Sequence, residues 1–358
     1  MTPKTFVITL LSIFSKNFYD FLPDTNDNII EMNNKVTVVM YHYVRDLKYS
    51  RYPNIKGCDV HDFKEQILFL KKHYHFVTVE EVLNAYYEEG KLPEHSVLLT
   101  FDDAYKDHFE YAFPILEHEH IQGAFYAPVK AVLEHSVLDV NKIHFILAST
   151  PADKLSQLLV DLRRMVDANK EEYGLESFDS YFDRLAVANR FDPKEVIFVK
   201  RLLQVALPEN LRKKITTELF EKAVGMDEAM FSRELYMSID QIKCMVDFGM
   251  HFGSHGYDHY WLGSLPKEKQ EFEIKKSVEF IDIVGGDSKN WTICYPYGNY
   301  NEDTIDLLKQ YGCKMGFTTR VSVADLDNKD KDMLYKLPRL DVNDLPKDSN
   351  AQINKWYY

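Results

Sequence analysis

Two stretches of this 358-residue chain hold residue types suited to hydrolytic chemistry. Asp102 and Asp103 end the apolar run Val97-Leu98-Leu99-Thr100-Phe101, and His255 and His259 stand four apart in Ser254-His255-Gly256-Tyr257-Asp258-His259. Two imidazoles and one carboxylate make a ligand set for a divalent cation that leaves positions for water and substrate. A cation in such a site lowers the pKa of its water and polarises a carbonyl. A second carboxylate beside it then has a task as general base. The His-x₃-His spacing predicts a helical turn with both rings on one face. Adjacent strand residues point to opposite faces, so both aspartates reach one site only if the chain bends after Asp102.

The elements that must position these groups are legible from periodicity. A short continuous apolar run such as residues 97–101 fits a strand buried on both faces, as in a parallel sheet covered by helices. Further strands are expected at 36–41, 77–79, 123–127, 291–295, 315–319 and 336–342, with amphipathic helices at 62–73, 80–89, 239–248, 265–283 and 303–311 between them. That alternation predicts βαβ units, and the polar residues His42, Asp102, Asp103, His255, His259 and Tyr297 follow its strands, on one rim of a parallel barrel. From 139 to 234 the texture is helical without comparable strand runs, which reads as an insertion that could cover the site or mediate oligomerisation. The expected organisation is an N-terminal extension over 1–34, a barrel over 35–138 and 235–345, the helical insertion over 139–234 and a C-terminal tail over 346–358.

A formal charge of −13 argues against general nucleic-acid binding, for which a basic face is expected. The aromatic content, 23 Tyr, 23 Phe and 3 Trp, permits a carbohydrate substrate without demanding one. Cys58, Cys244, Cys294 and Cys313 are irregularly spaced and contain no CxxC, which reads as free thiols in a reducing, cytoplasmic setting. Residues 6–14 are mostly apolar but too short for a membrane span, and no small-residue cleavage site follows them. Export or membrane association through residues 1–31 is the alternative, and Met32 is a second candidate for the natural start. No stable membrane span is expected.

Thr100-Phe101-Asp102-Asp103-Ala104 resembles the TFDDG motif of the polysaccharide deacetylases, the NodB-homology family of carbohydrate esterases. Ser254 to His259 resembles the family's His-Ser/Thr-x-x-His motif, and Tyr295-Pro296-Tyr297-Gly298 its Arg-x-Pro-Phe/Tyr motif. The resemblance implies a distorted (β/α)₇ barrel that hydrolyses the N-acetyl group of an amino sugar or glycan. It implies that Asp103, His255 and His259 hold a divalent metal, usually zinc, that Asp102 is the base, and that the backbone N–H of Tyr297 stabilises the oxyanion. Three positions depart from the pattern: Ala104 for Gly, Gly256 for Ser or Thr, and Cys294 where the Arg that orients the base stands. Arg339 is the candidate replacement for that arginine. No histidine follows His259 to act as the usual acid. The branch resembling poly-N-acetylglucosamine deacetylases has circularly shifted motifs with a histidine after the first strand, and Tyr41-His42-Tyr43 matches it, which assigns His42 as general acid.

Competing readings fit less well. Phosphotransferases that use aspartates after a buried strand separate them by one residue. An inactive, carbohydrate-binding barrel is favoured only by Cys294. His251 reads as structural, and His73, His75, His118 and His120 as solvated surface. Sugar identity, linkage, chain length and oligomeric state are not encoded in any motif.

Overall fold

The computed structural model describes residues 32–88, 90–189, 192–328 and 330–357, so the apolar stretch at 6–14 and the expected extension up to residue 31 lie outside the described residues. Nine strands build one sheet: β1 (Lys35–Tyr41), β2 (His75–Phe76), β3 (Ser96–Asp102), β4 (Gly123–Ala127), β5 (His251–Ser254), β6 (Thr292–Cys294), β7 (Met315–Phe317), β8 (Ala324–Asp325) and β9 (Leu340–Asp341). Their order is β7-β6-β5-β4-β3-β1-β8, with β9 also on β1 and β2 also on β3; β8 runs antiparallel to β1 and the other pairs are parallel. The sheet is curled and open, a distorted (β/α) barrel. The last segment crosses its open side. Leu337 N–H donates to Gly316 O, Thr318 N–H donates to Leu337 O, and Leu340 and Asp341 pair with Val39 and Met40.

The uninterrupted apolar strands follow from burial of both faces. Along β3, Val97, Leu99 and Phe101 pack outward with α1 (Val60–His73), while Leu98 turns to the other face with Val38, Ala124, Tyr126 and Phe317. Asp102 continues the Leu98 and Thr100 parity to the C-terminal end of the strand. The second βα unit is shifted from the sequence expectation: His75–Phe76 is the strand, and Val79 begins α2 (Val79–Tyr87). Thr78 and Glu81 form a capping box, which takes Thr78 out of the extended run. A π-turn at His108–Ala112 leads into α3 (Phe113–His118), with Pro114 in its first turn where a missing N–H costs nothing.

Between β4 and β5 lie α4 (Asp139–Ala148), α5 (Leu155–Ala168), α6 (Phe178–Leu185), α7 (Lys194–Arg201), α8 (Glu209–Val224) and α9 (Glu228–Leu235). Their apolar faces share one core with Tyr43, Ile55 and Tyr105 from the barrel loops, so these helices sit on the rim that carries the polar residues. The barrel resumes with α10 (Ile239–Asp247), capped by Ser238 and Gln241, then α11 (Lys267–Val284) and α12 (Glu302–Gln310). Gly285 ends α11 at φ +78°, a left-handed turn that glycine adopts without penalty. Residues near the C-terminus also pack on the barrel, where Tyr357 stacks on His95 with ring centroids 3.9 Å apart.

Gly253 on β5 is closely surrounded by neighbouring groups. A Cβ there would lie 2.5 Å from Tyr126 Cε1 and 2.6 Å from the Thr292 carbonyl oxygen. Gly253→Ala is expected to destabilise the fold by about 1–3 kcal/mol through overpacking. Urea unfolding checks this, and an unchanged midpoint would show that the sheet relaxes there.

Candidate metal centre

The bend that two adjacent carboxylates require is present. Asp103 has φ +77° and Ala104 φ +51°, so the chain turns sharply as β3 ends and the Asp103 carboxylate swings to the side that Asp102 already faces. A left-handed backbone costs a non-glycine residue about 1–2 kcal/mol. Tertiary contacts hold it: Met237 N–H donates to Ala104 O at 2.9 Å, and Tyr105 Oη donates to Asp103 Oδ2 at 2.6 Å. Tyr105 in turn accepts from Asn141 Nδ2 at 2.6 Å, and Asn141 Oδ1 accepts from Tyr236 Oη at 2.5 Å. Asn141 belongs to α4, so the inserted helices reach through this buried chain of hydrogen bonds to the carboxylate.

The two histidines converge by a different route from the expected helical turn. Residues 255–260 are irregular, with Gly256 at φ +75° and His259 at φ +55°. Glu273 from α11 shapes this loop, because its Oε2 accepts the Tyr257 N–H at 2.7 Å and the Asp258 N–H at 2.9 Å. His255 Nδ1 lies 2.7 Å from the Cys294 carbonyl oxygen, which can only accept, so Nδ1 carries a proton and, in the neutral ring, Nε2 presents its lone pair. His255 Nε2 and His259 Nε2 stand 3.4 Å and 3.5 Å from Asp103 Oδ1. The ligand atoms of Asp103, His255 and His259 all lie within 4.8 Å of one another, and all three residues are buried. Asp103 Oδ1 is itself buried without a hydrogen-bond partner among the described residues. A divalent cation fits this donor set and supplies the partner that oxygen lacks.

Charge is distributed unevenly over the cluster. Burial raises the pKa of Asp103, but the histidines beside it override burial and hold it well below the usual carboxylate range. Burial also opposes charge on both imidazoles; the carboxylates still raise His255, whereas burial and the charge of His255 push His259 down to about 3.

Arg339 is buried and forks onto Asp102, with Nη1 to Oδ1 at 2.9 Å and Nη2 to Oδ2 at 2.8 Å. Its remaining donors reach Thr100 Oγ1 at 3.1 Å, Cys294 Sγ at 3.0 Å and the Thr318 carbonyl at 3.0 Å. Burial would raise Asp102, but Arg339 and His255 outweigh it and keep Asp102 ionised. His42 Nε2 lies 4.0 Å from Asp102 Oδ2, and its backbone carbonyl accepts from His108 Nε2 at 2.7 Å. Tyr297, at φ +57°, stacks on Trp261 with centroids 4.4 Å apart and meets His259 edge-on at 4.8 Å.

All seven residues singled out in the sequence, His42, Asp102, Asp103, His255, His259, Tyr297 and Arg339, line one cavity of about 220 Å³. The same cavity is lined by Val140 and His144 of α4. Residues 213–316 match the family model for polysaccharide deacetylase. Within that segment the chain is similar to the polysaccharide deacetylases. It is 31% identical over 128 residues to YxkH of Bacillus subtilis, a protein named after this family, across 34% of this chain and 44% of that one. The chain thus spans less than half the length of that curated relative. It is 22% identical over 294 residues to the poly-beta-1,6-N-acetyl-D-glucosamine N-deacetylase of Staphylococcus epidermidis, across 81% of this chain and 70% of that one. The fold is similar to that of the Streptococcus pyogenes deacetylase PplD in complex with acetate, with TM-score 0.52, 17% identity, and 86% and 92% of the two chains covered.

The departures from the deacetylase pattern have physical counterparts. Cys294 leaves room for a guanidinium that arrives from a distant part of the chain, on the segment before β9. Gly256 meets Glu273 closely, since a Cβ would lie 3.3 Å from Oε2 at a positive φ. His251 bonds Thr292 Oγ1 at 2.8 Å, within the barrel and outside the cavity lining. Sequence reasoning missed Tyr105, Asn141, His144 and Glu273. Tyr105 is two residues from Asp103 and could have been noticed; the other three carry no local signal.

Glu273 gives a pH signature. Burial raises its pKa from 4.5 to about 7 against the two N–H bonds it accepts. The folded chain therefore holds a proton there that the unfolded chain has lost above pH 4.5, and the linked stabilisation fades as pH rises through about 7. Relative to Glu273→Gln, the wild type is expected to lose up to about 3 kcal/mol of stability across that window, read from urea melts. A pH-independent difference between the two proteins would contradict it.

Proposed function

We propose that this chain is a metal-dependent hydrolase that removes N-acetyl groups from an amino sugar or glycan. The observation that carries the reading is the buried Asp103–His255–His259 cluster facing an ionised Asp102 that Arg339 locks in both oxygens. A divalent cation, in our reading zinc, supplies a more acidic water and a polarised amide carbonyl when bound by Asp103, His255 and His259.

The chain's own residues account for the proton movements. Asp102 takes a proton from the attacking water, with Arg339 as the positioning residue that holds its carboxylate oriented and charged. The Tyr297 N–H is assigned to stabilise the developing oxyanion. His42, partly open to solvent and on the Asp102 side of the cavity, gives a proton to the leaving amine. Water adds to the acetamide carbon, the C–N bond breaks, and acetate and the free amine leave.

The inactive-barrel alternative drew on the cysteine at 294; the Arg339 fork onto Asp102 weighs against it. We read the chain with the circularly shifted branch, since His42 follows β1 and no histidine follows His259. N-acetylglucosamine oligomers are the first substrates to test, on the name of the Staphylococcus epidermidis relative. No helix among the described residues is long and apolar enough to cross a membrane. The four cysteines, all unpaired, support a cytoplasmic setting. A role in surface-polysaccharide or glycoconjugate synthesis follows from the chemistry proposed.

His255→Ala/His259→Ala is expected to lose both stoichiometric metal, measured by mass spectrometry, and acetate release. Asp102→Asn should retain the metal and lower kcat by about 10²–10⁴-fold. Arg339→Lys keeps the charge but not the fork, and should lower kcat more than it raises KM. Protein that binds no cation when a divalent metal is supplied in excess would sink the proposal.

A further inference from the structure

A cavity of about 370 Å³ opens between the helical insertion and the loop that follows β1. It is larger than the cavity of the metal centre and falls within the roughly 300–1,000 Å³ usual for small-ligand sites. Ile55, Leu147, Ala148, Pro151, Leu155 and Val196 make up most of its wall. They come from that loop, from α4, from the turn after it, and from α5 and α7. His144 of α4 lines this cavity and the metal cavity alike, so the two spaces meet at one side chain.

The charged side chains gather at one end. Asp192 is buried and accepts from Lys200 Nζ at 2.7 Å and from Lys56 Nζ. The three charged residues of the lining are therefore two lysines and one aspartate, with one positive charge in excess. This end is open to solvent, since the Lys56 side chain is 63% exposed. His144 marks the deep end, where its Nδ1 lies 3.4 Å from the hydroxyl of the buried Tyr43. Burial lowers the pKa of His144 to about 4, so its ring is neutral and the inner wall carries no charge.

A neutral apolar wall favours an aliphatic chain, which releases water from it. The hydroxyls of a sugar would lose hydration against Leu147, Ala148, Leu155 and Val196 without finding partners there. The excess ammonium at the open end favours an anionic group and repels a cation. The deep end also connects with the metal centre. Tyr43 Oη accepts from Asn141 Nδ2 at 3.1 Å, and the same amide donates to Tyr105, which holds Asp103.

We propose that this cavity is a second ligand site, for a medium-length aliphatic chain that ends in a single negative charge. The chain lies towards His144 and the anion at Lys56 and Lys200. Its occupation is felt at the metal centre through His144, Tyr43 and Asn141. Binding there does not depend on the reaction proposed above.

The test titrates full-length protein by calorimetry with butyrate, octanoate and decanoate, and with octanol, octylamine and octyl phosphate. Octanoate is expected to bind at least about tenfold tighter than octanol or octylamine, and affinity should rise with chain length. Ala148→Trp fills the cavity and should abolish binding. Lys56→Gln removes the excess charge while Lys200 still pairs Asp192, and should erase the preference for octanoate over octanol. Lys56 is exposed, so that variant keeps the test valid should Ala148→Trp fold poorly, which melting temperatures report. Zinc affinity, read by competition with a chromophoric chelator, should differ between free and octanoate-saturated protein. Absence of octanoate binding, or binding that both substitutions leave unchanged, overturns the site. Tighter binding of the dianionic octyl phosphate overturns the choice of a single charge. Zinc affinity that saturation leaves unchanged overturns the link to the metal centre.

Discussion

The structure depends on one buried ion pair, Arg339 with Asp102. Its partners stand 237 residues apart in the chain, one at the end of β3 and one on the segment that crosses the open side of the sheet. Neither charge could occupy the barrel interior alone, since an unpaired buried ion costs several kcal/mol. Together they satisfy each other through two parallel hydrogen bonds, and Thr100, Thr318 and Cys294 take up the remaining donors of the guanidinium. The pair therefore fixes the last segment against the first strands, and it keeps a carboxylate ionised beside the Asp103–His255–His259 cluster.

The helical insertion is coupled to the same centre. Its core incorporates Tyr43 and Tyr105 from the barrel loops, and Asn141 sits where it can bond both hydroxyls, at 3.1 Å and 2.6 Å. Because Tyr105 holds one oxygen of Asp103, the other oxygen is left to point at the two histidines. A buried network of this kind holds one geometry when every member is satisfied. The inserted helices thus act on the site from two directions, behind Asp103 and along the cavity wall that Val140 and His144 line.

The loop from His255 to His259 shows why spacing alone misled about local conformation. Residues at i and i+4 share a face on a helix, but an irregular loop can bring the same two rings together if something fixes its bends. Here Glu273 supplies two acceptor contacts from a separate helix, and Gly256 supplies the positive φ. The ligand set was legible because its residue types are rare in combination. The means of holding it was not, because Glu273 looks like any acid on an amphipathic helix.

Much of the architecture was determined by the sequence alone. Apolar runs that end in Asp102-Asp103 and Tyr41-His42 specify buried parallel strands with polar ends, and periodicity marks the helices between them and the helical stretch after β4. The motif residues identified the candidate ligands and base. Only the tertiary structure decided that Arg339 enters the barrel, that Asp103 bends into the face Asp102 occupies, and that α4 lines the metal cavity. The physical reason is common to all three. Strand and helix patterns are set by neighbours within a few residues, whereas a buried charge, a strained φ and a cavity wall are stabilised by partners that lie distant in the chain and become adjacent only when the barrel closes.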